Sequence, residues 1–599
     1  MIELLPARVV ARETAGGLVL ASPVVPGPPA RAIGDWLVRW AHERPGVTFL
    51  AERDGAGAWR RVAYAEALRR VQAIAAWLVA RGAQASRPVM ILSDNSVATA
   101  LVLLGAMHAG VPVSPVSAAY SLQSASFQRL RAVTGQLAPG FVFADDTARF
   151  AGAIAQVMTV TPDVQVIPAI DDLTAPAPDA GAGAGAAARF AAITPDTVAK
   201  VLFTSGSTGA PRGVVNTHRM LTANQESLAA CWPFLATGAG GASGPVVVDW
   251  LPWSHTFGGN HNFHLILRHG GTMYIDRGRP VPGLIETTLA NLADVSPTLW
   301  FNVPRGFDQA VGLLEADPAL ARRVLARLDL VFYAAAALGP VTRSRLERVA
   351  ERAGRDVFFT SAWGSTETSP LATSAHFATP TTGNLGLPVP GVELALAPVQ
   401  DRLELRVRGA SVTPGYWRPG GAISPVALDA DGFLPTGDAG QLADPADPGK
   451  GITFGGRLGE NFKLSSGTWV SVAQVRLGLI EACTPLVMEA VIAGHDRAAL
   501  GALVVLSPSA AQLSPAELAA RLHNMIGAYN RSHPLTSEKI ARVIALREPL
   551  SLDEGETTDK GYTNQRRVLE RRASTVAALF AEPPGPEVVC EPARALLNG

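Results

Sequence analysis

The stretch Leu202-Phe-Thr-Ser-Gly-Ser-Thr-Gly-Ala-Pro-Arg-Gly213 decides how this chain is read. It follows the apolar, strand-like segment Val198 to Phe203 and crowds hydroxyl and glycine residues into a turn. Gly206 and Gly209 admit φ > 0 and a close backbone approach, while Thr204, Ser205, Ser207 and Thr208 add hydroxyl donors to the N–H groups of the turn. Such a loop suits a polyphosphate. It is not a Walker loop, because the only Gly-Lys pair, Gly449-Lys450, is followed by Gly451, and no GxGxxG fingerprint is present.

Working outward, 599 residues are too many for one core, so a large body and at least one further domain are expected. Hydrophobic residues make up 48% and charged residues 17%, with a formal net charge of zero, which disfavours nucleic acid and acidic membrane surfaces as partners. Cys231, Cys483 and Cys590 are far apart and give no disulfide framework or metal-ligand spacing. The start, Met1-Ile-Glu-Leu-Leu-Pro-Ala-Arg, has no apolar core followed by a cleavage site, so a cytoplasmic location is expected. The apolar run from Val97 to Met107 is interrupted soon after by Gly110, Pro112 and Pro115 and reads as a buried helix entering a strand, not a membrane span. Only five of the 51 Lys and Arg side chains are lysine: 200, 450, 463, 539 and 560. Each invites scrutiny, since a compact ammonium does things a guanidinium does not.

Between Asp35 and Phe143, strand-like pieces such as Pro88 to Leu92 and Val111 to Val116 alternate with helical ones such as Tyr64 to Arg81, which argues an α/β sheet with crossover helices. Residues 174 to 188 are rich in Ala, Gly and Pro and read as a mobile surface linker, with a frayed alanine helix as the alternative that the glycines oppose. After Asp438 a turn-rich stretch leads to a compact α+β pattern ending near Arg572. The expected division is a large α/β multi-subdomain body over 1–456 and a small α+β C-terminal domain over 457–599.

The loop at 202–213 resembles the TSGSTGxPKG loop of the adenylate-forming superfamily, which holds acyl-CoA synthetases, nonribosomal adenylation domains and luciferases, with Arg212 where lysine is usual. Arginine keeps the charge and offers a planar fork of donors. The resemblance runs in order through further motifs from about Asp35 to about Arg572. Ala362-Trp-Gly-Ser-Thr-Glu-Thr368 resembles the YGxTE segment, with Trp363 and Gly364 at its start; the match implies that Thr366 touches the α-phosphate and Glu367 holds Mg²⁺. Leu434-Pro-Thr-Gly-Asp-Ala439 resembles the TGD motif, implying that Asp438 reads the ribose hydroxyls, with Arg457 as a second contact. Tyr333-Ala-Ala-Ala-Ala-Leu338 corresponds to the adenine platform, for which Ala335 and Ala336 are chosen.

Trp250-Leu-Pro-Trp-Ser-His-Thr-Phe-Gly-Gly-Asn-His-Asn-Phe-His264 resembles the LPWNHTFGGNHNFG run of bacterial feruloyl-CoA synthases. It implies an acid pocket in which His255 gates the carboxylate and Trp253, Phe257 and Gly258 shape an apolar slot. A metal site of His255, His261, His264 and His269 is rejected, because no carboxylate or cysteine joins them and the glycines are expected to break any helix that would align them. Lys560 is the candidate adenylation lysine, in a register shifted from the family's, with Thr563 nearer the strict position; Lys463 and Lys539 are the other small-domain candidates, and the resemblance places the segment of Lys463 at the active site after the small domain rotates. The family's small domain rotates about a hinge residue that falls here on Gly459.

These motifs imply an ATP-dependent acid:CoA ligase, acting on a hydroxycinnamate such as ferulate, that makes acyl-AMP and then the thioester of coenzyme A. ATP, Mg²⁺, coenzyme A and a small-molecule carboxylic acid are the expected partners, and a homodimer is among the assemblies allowed. The rivals are an adenylating enzyme that takes another acid or loads a carrier protein, and a nucleotide-binding regulator that has lost catalysis.

Overall fold

The computed structural model describes residues 2–173, 180–204, 211–237, 244–379, 382–558 and 563–590. The chain divides into two compact units: the first comprises 1–401, 405–436 and 441–453, the second 402–404, 437–440 and 454–599.

The first unit carries two large sheets built as the alternating pattern predicts. In the eight-stranded sheet, Val89–Ile91, Val113–Pro115, Phe141–Phe143 and Val198–Thr204 run parallel, while Arg212–Thr217 turns back antiparallel on Val198–Thr204. Helix Val97–His108 crosses over between Val89–Ile91 and Val113–Pro115, while Tyr64–Ala80 leads into Val89–Ile91 from Trp59–Ala63 of the other sheet. Val97–His108 is buried on all faces, starts at the Ser96 side chain, which accepts the Thr99 N–H, and leads into strand Val113–Pro115. The expected buried helix is thus found. Parallel strands need covered faces, which is why these read as continuous apolar runs.

The nine-stranded sheet places Phe358–Gly364, Leu330–Tyr333, Leu299–Asn302, Val246–Asp249, Thr272–Ile275 and Thr48–Arg53 side by side. Trp300, Phe307, Leu289, Leu292 and Leu346 fill the core on one of its faces.

One expectation fails. Residues 180–188 of the stretch read as a mobile linker belong to the α-helix Ala180–Ala192, which packs on Tyr64–Ala80. Glycines at 181, 183 and 185 weaken its propensity, but alanine is the best helix former, and packing on Tyr64–Ala80 supplies the stability that so short a helix lacks alone. Residues 174–179 of that expected linker lie outside the described residues.

The second unit is a four-stranded sheet in the order Val487–Ala493, Leu500–Leu506, Ile540–Leu546, Val588–Cys590. Alternation by two sorts its side chains: Ala490, Ile492, Ala502 and Val504 face helices Val472–Ala482 and Pro515–Ser532, while Val491, Ala493 and Leu503 pack with Val568 and Leu579 of Gln565–Arg571 and Ala573–Leu579. The chain is therefore mixed α/β with a large N-terminal body and a smaller C-terminal part. Among the described residues, no helix is long and apolar enough to cross a membrane.

Candidate active site

Strands Val198–Thr204 and Arg212–Thr217 flank the loop 205–210, and Thr204 stands opposite Arg212 across them. Ser205, Gly206, Ser207, Thr208 and Gly209 lie outside the described residues.

From this edge the site builds in one direction. Val214 pairs with Tyr416 on the neighbouring strand Gly415–Trp417, and the Arg212 guanidinium lies 5.6 Å from the Tyr416 ring centre. The Tyr416 hydroxyl reaches Glu367 Oε1 at 3.5 Å. Burial, followed by the neighbouring Glu367 charge, pushes the Tyr416 hydroxyl above its ordinary range, so it remains a donor to the carboxylate.

Glu367 sits on the turn Thr366–Thr368 that ends strand Phe358–Gly364. The turn is held at both ends: the Thr368 hydroxyl accepts the Ser365 N–H at 2.8 Å, and the Glu367 carbonyl accepts the Thr413 N–H at 2.8 Å. Gly364 has no alternative, since a Cβ there would lie 1.7 Å from the Pro370 carbonyl oxygen. Thr366 and Trp363 are buried, and Glu367 is half-buried. Ala335 and Ala336 are exposed, and Ala335 holds φ +74°, a left-handed conformation that costs a non-glycine residue about 1 kcal/mol.

The segment from Trp250 onward is pinned by polar groups whose part was not legible in sequence. Buried Asp249 accepts the Leu251 N–H at 3.0 Å on one oxygen and the Asn262 Nδ2 at 2.8 Å on the other. Burial raises its carboxyl to about 7, against those two hydrogen bonds. The Asn95 side chain accepts the Trp253 N–H and donates to the Leu251 carbonyl, at 3.0 and 2.9 Å. Trp253 is buried against Phe263, whereas His255 and Phe257 are half-buried.

The glycines in this segment do not break a helix, contrary to the sequence expectation. Phe257–Asn262 is a π-helix that runs directly into the α-helix Phe263–His269. A Cβ at Gly258 or Gly259 would lie 2.3 Å from the carbonyl oxygens of Leu251 and Trp253 respectively, so glycine serves close approach here. Among the described residues no group of three or more His, Cys, Asp or Glu is placed to hold a metal ion, and burial lowers the His261 pKa to about 4.

In the second unit, buried Asp438 and exposed Arg457 form an ion pair at 2.9 Å. Gly437, at φ +73°, turns the strand immediately before Asp438 and donates its N–H to Glu404 at 3.0 Å. The exposed Lys463 ammonium rests 4.8 Å from the Trp469 ring centre. Gly459 is exposed. Lys560 lies outside the described residues.

The structure thus brings Thr204, Arg212 and Glu367 toward one another through Tyr416, a residue that no sequence motif singled out. Its signal was the Gly415-Tyr-Trp417 run, but the pairing with Val214 that gives it meaning spans the fold. A model for AMP-binding enzymes matches residues 37–417, which include Thr204, Arg212, Glu367 and Tyr416 but not Asp438, Arg457 or Gly459. The chain belongs to the AMP-binding enzyme family. The C-terminal domain of AMP-binding enzymes matches residues 464–583.

This AMP-binding enzyme is similar to a long-chain-fatty-acid–CoA ligase of Mycobacterium bovis, 25% identical and covering 90% of this chain and 96% of the relative. It is also similar to a 3-[(3aS,4S,7aS)-7a-methyl-1,5-dioxo-octahydro-1H-inden-4-yl]propanoyl:CoA ligase of Rhodococcus jostii, 27% identical over 68% of this chain and 76% of that one. Among solved structures, an anthranilate CoA ligase in complex with anthranoyl-AMP superposes with a TM-score of 0.73 at 18% identity, covering 92% of this chain and 99% of the other. ATP-bound MatB from Rhodopseudomonas palustris gives 0.67 at 22%, covering 91% and 99%. These two likenesses establish the fold.

Proposed function

We propose that the protein is an ATP-dependent acid:CoA ligase that activates a carboxylic acid as its acyl-AMP and passes the acyl group to the thiol of coenzyme A. The observation that carries this reading is the line Arg212–Tyr416–Glu367 beside the phosphate-loop strands. It sets a fixed cation and an anionic carboxylate on one edge, the donor set that a polyphosphate with a divalent cation requires.

In this reading Thr204, the loop residues Ser205 to Gly209 and Arg212 bind the phosphates of ATP, and Thr366 donates to the α-phosphate. Glu367 and phosphate oxygens would hold Mg²⁺, which when bound offsets phosphate charge. The donor set fits: Tyr416 engages one Glu367 oxygen and leaves the carboxylate its remaining acceptor capacity. Ala335 and Ala336 take the adenine, and Asp438 with Arg457 the ribose. Lys560 bridges the attacking carboxylate and the α-phosphate, with Lys463 as the second small-domain contact. Splitting the reaction replaces hydroxide, a poor leaving group, with AMP before the thiol attacks. The small domain begins at 457 and turns about Gly459.

For the acid, Trp253, His255, Phe257 and Gly258 favour a planar aromatic such as ferulate. The relatives support a second reading, a long-chain or polycyclic acid. A panel of ferulate, benzoate, palmitate and a polycyclic propanoate, assayed for ATP- and CoA-dependent thioester with AMP quantified, decides between them. An apolar slot separates such acids by about 1–3 kcal/mol per misfit group. Thioester from none of a broad panel would overturn the ligase reading; preference for palmitate would overturn only the aromatic one.

A further inference from the structure

Lys200 has no exposed surface. It lies on strand Val198–Thr204, the strand that delivers the phosphate loop, and its Nζ donates to the Gly259 carbonyl at 2.8 Å and to Asn260 Oδ1 at 3.3 Å. Both acceptors belong to the π-helical turn Phe257–Asn262. From there the bonds run to the residues placed at the acid. The Gly259 N–H donates to the His255 carbonyl at 2.8 Å, and Asn260 Nδ2 donates to Thr256 Oγ1 at 3.1 Å and to Asn216 Oδ1 at 2.9 Å. Gln225 adds donors to the Asn260 and His261 carbonyls at 2.9 and 3.2 Å.

An ammonium buried without a carboxylate is expensive, and an apolar side chain of the same length would fill the space more cheaply. What the ammonium supplies that an apolar chain lacks is directed, charge-assisted hydrogen bonding to two successive residues of an unusual turn. We infer that Lys200 is a positioning residue of the acid site, clamping the π-turn 257–262 to the phosphate-loop strand and so fixing His255 and Phe257. This rests on the proposed reading of the 250–264 segment as the acid site.

The clamp carries its own signature. Burial lowers the Lys200 pKa to about 7. The titratable groups facing it are His218, from helix His218–Cys231, and His264, from helix Phe263–His269; burial holds both below the ordinary histidine range, so they are neutral near pH 7. The flanking strands place Val113 and Asn216 at its register, neither of them titratable. As pH rises through about 7, Lys200 loses its charge and the clamp weakens, while the substrate acid, ionised throughout, does not change.

The test compares the full-length enzyme with Lys200→Met, which keeps the stem, and Lys200→Gln, which keeps a neutral donor. In Lys200→Met the KM for ferulate, or for the best acid of the panel, should rise about tenfold while the KM for ATP stays within about twofold, with Lys200→Gln between. In the wild type the acid KM should climb between about pH 6.5 and 8.5, and this climb should vanish in Lys200→Met. Hydrogen exchange at one fixed pH should be faster in residues 253–264 of Lys200→Met and unchanged in the second unit. Unaltered exchange in 253–264, or a wild-type acid KM flat across that pH range, overturns the clamp. Absence of thioester from every acid overturns the ligase reading instead, and leaves the exchange measurement to decide on Lys200. If Lys200→Met does not fold, Lys200→Gln and the wild-type pH series decide whether the clamp stands.

Discussion

Arg212 and Thr204 face each other across the two strands that flank the loop 205–210, and Arg212 lies over the ring of Tyr416. The guanidinium therefore sits within cation–π range of the ring, 5.6 Å from its centre, a role that lysine would fill differently. Arg212→Ala should slow acyl-AMP formation by about 10²- to 10³-fold, the range for losing one fixed donor to transition-state charge. Arg212→Lys, although it restores the residue usual in the superfamily, should recover only part of this, because Tyr416 has become the partner of a planar group. Pyrophosphate release under single turnover measures both; full activity of Arg212→Ala would remove Arg212 from the site.

Glu367 and Tyr416 make a graded pair. Glu367→Gln keeps the shape and removes the charge, so adenylation should fall by about 10²- to 10³-fold. Tyr416→Phe removes only the hydroxyl that orients the carboxylate, and such supporting contacts are worth about 10- to 100-fold in metal affinity. Its loss should therefore shrink as Mg²⁺ is raised, whereas that of Glu367→Gln should not. A Mg²⁺ titration of both variants checks this, and identical Mg²⁺ curves for Tyr416→Phe and wild type would deny Tyr416 its role.

Much of this architecture was open to reading in the chain. Tyr64–Ala80, Val97–His108 and Val113–Pro115 announce themselves through local apolar periodicity, and the loop strand through its apolar run before the glycines. What stayed hidden depends on distant partners. The alternating glycines of Ala180–Ala192 argue against a helix until Tyr64–Ala80 is there to receive it. Gly258 and Gly259 look like breakers, yet they admit the carbonyls of Leu251 and Trp253 into a π-turn. The sequence marks Lys200 only as a rare lysine in an apolar strand, and its burial against Gly259 and Asn260 is a property of the fold. The same holds for Asp249 and Asn95, ordinary polar residues until they meet the 251–253 backbone.

Lys200 also sets a direction for stability against pH. Its folded pKa is lowered to about 7, below the unfolded value near 10.4, so between these limits the unfolded chain holds the proton and the native chain does not. The burial cost is full below about pH 7 and is relieved as pH rises. Relative to Lys200→Met, the wild type should gain about 2 kcal/mol between pH 7 and 8.5, at about 1.4 kcal/mol per pH unit. Denaturant unfolding of the first transition at both pH values measures it, and a difference that is constant or shrinks with pH would show that Lys200 keeps its proton when folded.

Gly459 offers the sharpest separation of the two half-reactions. An added Cβ there would meet no atom within 4 Å, and its φ lies outside the left-handed region, so nothing in this conformation demands glycine. If the residue occupied one conformation throughout the cycle, Gly459→Ala would leave both half-reactions unchanged. A hinge that visits a second, glycine-favouring conformation would instead penalise only the step that uses it. We expect acyl-AMP formation within about threefold of wild type in Gly459→Ala and Gly459→Pro, with thioester formation from supplied acyl-AMP down about tenfold or more, and furthest in proline, which fixes φ. Lys560→Ala is the complementary variant: it should lose adenylation yet still convert supplied acyl-AMP. Equal loss of both half-reactions in folded Gly459→Pro, or no loss in either, would place the hinge elsewhere.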